Sequence, residues 1–75
     1  MSAKEMFEKL GYEYKENENY ISYTYCVKEI IEFSLKTKKF VKEDIWGTSL
    51  RITLEELKAI NKQIEELGWL EDVKD

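Results

Sequence analysis

The chain has 75 residues, ten of them aromatic, with one cysteine, no histidine and a net charge of −4. That length gives one small domain, which buries only about 60% of the surface its unfolded form exposes. A lone thiol rules out an intramolecular disulfide, carboxylates with one thiol are a poor set for structural zinc, and no apolar run reaches the roughly 20 residues of a membrane span.

Charge is spread mildly, −2 over residues 1–19, +2 over 20–53 and −4 over 54–75. A nucleic-acid-binding domain is usually far more basic. The opening Met1-Ser2-Ala3-Lys4-Glu5 lacks the charged-then-apolar order of a secretory signal. The expectation is a cytoplasmic protein without membrane partners.

Ser2 and Glu5 form a capping-box pattern, and Ala3, Met6, Phe7 and Leu10 follow at helical spacing until Gly11 stops the helix. So short a helix must dock, through Phe7 and Leu10. The period then drops to two. Tyr12 and Tyr14 alternate with Glu13 and Lys15, Glu16 to Asn19 make a turn, and Tyr20 to Tyr25 place Ile21, Tyr23 and Tyr25 on one face. Glu29 to Leu35 group Ile31, Phe33 and Leu35, and a further strand runs from Lys39 to Ile45. Cys26-Val27-Lys28 contains no Gly, Pro or Asn, so residues 20–35 read either as two strands or as one bent strand with a bulge. Ile45 to Ser49 is a loop.

The last helix opens on a second capping box, Thr53 with Glu56. Its apolar stripe is Leu57, Ile60, Ile64 and Leu67, with Leu54 and Ala59 beside it, and Lys58, Lys62, Gln63, Glu65 and Glu66 fill the solvated side. Gly68 ends it, and Trp69 packs back on the core or the last turn. The fold class is therefore α+β: a short N-terminal helix, an antiparallel β-meander of three to four strands, and a C-terminal amphipathic helix packed on one sheet face. Residues 1–70 form the single domain and residues 71–75 a frayed acidic tail.

No catalytic, cofactor-binding or metal residues are assigned. Without histidine, the paired carboxylates Glu55-Glu56 and Glu65-Glu66 point apart on a water-facing helix. Cys26 has no imidazole to activate it and is expected to be a small buried hydrophobe. Two surfaces stand out. Tyr20, with the other tyrosines and the lysines Lys36, Lys38, Lys39 and Lys42, could stack bases and hold phosphates; the plainer account is strand-forming core rings and edge-protecting lysines. Trp46 is either an exposed anchor for a protein partner or a lid on the end of the core.

Met6-Phe7-Glu8-Lys9-Leu10-Gly11-Tyr12 and the run Ile52 to Trp69, ending Glu65-Glu66-Leu67-Gly68-Trp69, resemble small uncharacterised proteins of phages and prophages in low-GC Gram-positive bacteria. The resemblance implies an origin and a cellular setting, and it carries over no site residue. The sequence thus leads to a non-enzymatic, phage-derived accessory protein acting on an unknown protein partner or on a second copy of itself. A single-stranded nucleic-acid-binding module is the alternative.

Overall fold

The computed structural model describes residues 1–72. In chain order these form α1 (Ala3–Lys9), β1 (Glu13–Glu16), β2 (Tyr20–Tyr25), β3 (Glu29–Ser34), β4 (Lys39–Asp44), α2 (Leu54–Glu66) and a closing 3-10 turn (Trp69–Asp72). That turn reaches into the segment read as a tail, whose residues 73–75 lie outside the described part. Both expected capping boxes form, with Ser2 and Thr53 each accepting the backbone N–H three residues on. Among the described residues no helix is long and apolar enough to cross a membrane.

The four strands form one antiparallel sheet in the order β1-β2-β3-β4, each paired with its chain neighbour. Residues 20–35 are two strands joined by the three residues Cys26, Val27 and Lys28. Cys26 and Val27 both take positive φ, 51° and 62°, and the Lys28 N–H donates to the Tyr25 carbonyl at 3.1 Å. Two left-handed residues in succession match the right-handed twist of the flanking strands, a turn ordinarily written Asn-Gly. Cys26 is exposed at its tip rather than buried.

Both helices cover the same sheet face. The Phe7 ring of α1 stacks on Tyr23 of β2 at 3.8 Å and meets Tyr12 edge-on at 5.6 Å. Ile31 and Phe33 of β3 and Ala59 and Ile60 of α2 complete the buried cluster, and Trp69 leans on Phe33 with ring centroids 6.2 Å apart. Each of the large side chains contributes about 1.5–3 kcal/mol by leaving water. The opposite face carries the rows Lys15, Ser22, Glu32, Val41 and Glu13, Thr24, Ile30, Glu43. It is mostly polar with both signs of charge, as suits a sheet face turned to water.

Helix α2 is turned from its expected orientation. Glu56 and Gln63 are buried beside Ala59 and Ile60, whereas Leu54 and Leu57 are 66% and 42% exposed. The cause lies beneath the helix: the sheet side of the core offers hydroxyls and an ammonium that must be paired once dry. Tyr23 donates its hydroxyl to Gln63 Oε1 at 2.5 Å, and Tyr12 and Lys42 both reach Glu56. Satisfying three buried donors outweighs the partial exposure of two leucines.

Candidate interaction site

The polar cluster under α2 is built from three distant positions. Tyr12 follows α1, Lys42 stands at the centre of β4 opposite Ile31, and Glu56 lies in the first turn of α2. Glu56 Oε1 accepts from Lys42 Nζ at 2.8 Å and from the Thr53 N–H at 3.0 Å; Oε2 accepts from the Tyr12 hydroxyl at 2.5 Å. Lys42 Nζ also donates to the Arg51 carbonyl at 2.9 Å and lies 3.9 Å from Glu29. Burial pushes the Glu56 carboxyl up, but the bonds from Lys42, Tyr12 and Thr53 outweigh it and hold it below its ordinary value. Burial, then the bond to Glu56, drive the Tyr12 hydroxyl far above its own. These groups neutralise and fasten one another, which ties β4 and the Arg51 segment to the start of α2.

Exposed apolar surface gathers at one end of the sheet, where the β2–β3 turn and the segment after β4 lie side by side. Val27 and Trp46 are each 81% exposed and Ile45 is 61% exposed, with Tyr25 partly open beside them. Trp46 does not fold back as a lid. Its turn is nevertheless firmly built: the Asp44 side chain accepts the N–H groups of Trp46 and Thr48, each at 2.9 Å, and the Asp44 carbonyl accepts from Gly47. Residues 48–50 then return along β4, with Glu43 bridged to Ser49 and the Leu50 N–H on the Lys42 carbonyl. A hollow of about 270 Å³ lies between Trp46, Leu50, Tyr25 and Cys26, rimmed by Lys28, Glu29 and Asp44. A second, of about 340 Å³, is lined by Val27, Ile30 and Ile45 on the other side of that rim.

The remaining candidates are divided by the fold. Tyr20 and Lys39 share a row of the open face through Ser34, and Lys36 and Lys38 stand in the adjoining turn, at the end of the sheet away from Trp46. Lys42 does not belong with them: it is 6% exposed and engaged under α2. The tyrosines do not share a surface either. Tyr12 and Tyr23 are buried, Tyr14 is half-buried, and Tyr25 lies at the Trp46 end, so Tyr20 alone stands exposed beside the lysines.

Sequence reasoning missed Glu56, Gln63 and Lys42 as interior groups. Lys42 was the available signal, since it alternates with Phe40 on a strand whose inner face must be dry. Val27 was missed as an exposed position because nothing in Cys26-Val27 announces a left-handed turn. Among the described residues no group of three or more His, Cys, Asp or Glu is placed to hold a metal ion. Compared with known proteins, the chain matches no family model, no curated protein and no solved structure.

Proposed function

We propose that this chain is a non-enzymatic binding module of phage origin that engages a protein partner through the Trp46 end of its sheet. The observation that carries the reading is an almost fully exposed tryptophan held on an ordered turn beside an exposed Val27 and Ile45. Tryptophan is enriched among residues that dominate binding energy, and a side chain whose backbone is already fixed loses less freedom on binding. The neighbouring turn adds support. A β-branched residue at positive φ is a strained choice, and strain retained at a surface marks a position where the side chain matters. The rim of Glu29 and Asp44 against a single Lys28 suits a partner whose apolar segment is flanked by basic residues.

Affinity capture from host lysate, with and without nuclease, tests this with the tagged chain and its Trp46→Ala variant. A protein held by the wild type after nuclease and lost from Trp46→Ala supports the reading. Capture that survives Trp46→Ala, capture that vanishes with nuclease, or no capture at all counts against it.

A further inference from the structure

A third cavity adjoins the Trp46 surface. It measures about 220 Å³ and is lined by Leu10, Tyr12, Tyr25, Glu29, Thr53 and Glu56, so Tyr25 and Glu29 border both this notch and the apolar hollow beside Trp46. Two aromatic rings wall it. The Tyr12 and Tyr25 rings stand 5.5 Å apart, and Tyr25 lies so close over Gly11 that a Cβ there would come within 2.9 Å of the ring. Its charges do not balance. Glu29 and Glu56 bring two carboxylates against the single ammonium of Lys42, which bonds Glu56 at 2.8 Å but stands 3.9 Å from Glu29, beyond hydrogen-bond reach. At the nearby N-terminus of α2, Thr53 and Glu56 already satisfy each other's backbone N–H groups. The Glu29 side chain is 34% exposed, at the border shared with the hollow. The notch therefore sets two carboxylates against one ammonium, beside the Tyr12 and Tyr25 rings.

We infer that this notch receives an arginine side chain of the protein partner, the guanidinium pairing with Glu29 while its flat face lies against Tyr25. The inference rests on the reading of the Trp46 end as a protein-binding surface and names what that partner carries: an arginine next to its apolar anchor. A guanidinium fits better than an ammonium because its planar fork matches a carboxylate with two parallel bonds and its face stacks on an aromatic ring. A cation on Glu29 also balances the second carboxylate, which shares the single Lys42 ammonium with Glu56.

The experiment is a chemical-shift titration of the isotopically labelled full chain with N-acetyl-arginine amide, alongside the neutral citrulline analogue. The expected result is saturable movement confined to Tyr12, Tyr25, Glu29 and Thr53 with the arginine compound only. Glu29→Gln should weaken binding by about tenfold, Tyr25→Leu should also weaken it, and spectral dispersion reports whether each variant stays folded. Equal response to citrulline, no saturation at tens of millimolar, or an unchanged affinity in folded Glu29→Gln overturns the inference. Trp46→Ala should leave arginine binding unchanged while abolishing partner capture. A notch that fails this titration in a chain whose Trp46 still captures a protein sinks the arginine alone, and the broader reading stands.

Discussion

Replacing Lys42 with methionine strips the cation from a carboxylate that is only 8% exposed. Breaking a buried pair on one side costs about 3–5 kcal/mol, whereas replacing both partners is far milder. Lys42→Met should therefore leave little or no cooperative urea transition, whereas Lys42→Met with Glu56→Gln retains one, and Lys39→Met on the exposed hairpin should change stability by no more than about 0.5 kcal/mol. The same pair sets an acid limb. Because the folded Glu56 carboxyl sits below its ordinary value of 4.5, the unfolded chain takes up that proton first. Its contribution is complete above pH 4.5 and is lost as pH falls through the folded value. Urea unfolding across that range should show a steeper acid loss in the wild type than in the double variant.

At the level of elements, the β2–β3 turn is where local preference and tertiary demand conflict. A left-handed conformation costs an ordinary residue roughly 1–2 kcal/mol, and Val27 is too exposed for burial to offset it. Val27→Gly should gain about 1 kcal/mol, seen as a rise of about 4–8 °C in the thermal midpoint. The turn also shows what was legible in advance. Both helix caps, the strand faces of Ile31 and Phe33, the glycine stops and the packing of Trp69 could be read because each follows from short-range spacing. The facing of α2 could not, because Glu56 and Gln63 look solvated until Tyr12, Tyr23 and Lys42 are known to lie beneath them. The turn at Cys26-Val27 escaped for the opposite reason: the strands on either side impose a shape its residues do not favour. Of the candidate site, Trp46 was named from sequence, whereas Val27 at its side and the notch under Tyr25 depend on contacts between distant segments.

For the whole molecule, the core is small enough that single contacts are decisive. Phe7 is fully buried and touches the rings of Tyr12, Tyr23 and Phe33, and its loss to alanine costs about 3–5 kcal/mol. A domain of this size holds roughly 3–5 kcal/mol in all, so Phe7→Ala should show no cooperative thermal transition by circular dichroism. The meander has a further, kinetic consequence. Every strand pairs with its neighbour in sequence, so the sheet can zip up through short loops, whereas α1 meets α2 across almost the whole chain, the Ala3 N–H reaching Glu66 Oε2 at 2.9 Å. Closing that long loop costs the most entropy, so the contacts between the helices form last, after the main barrier. Stopped-flow measurements on Glu66→Gln should accordingly find faster unfolding and an unchanged refolding rate. The two helices then act as a clasp whose release sets the lifetime of the folded state.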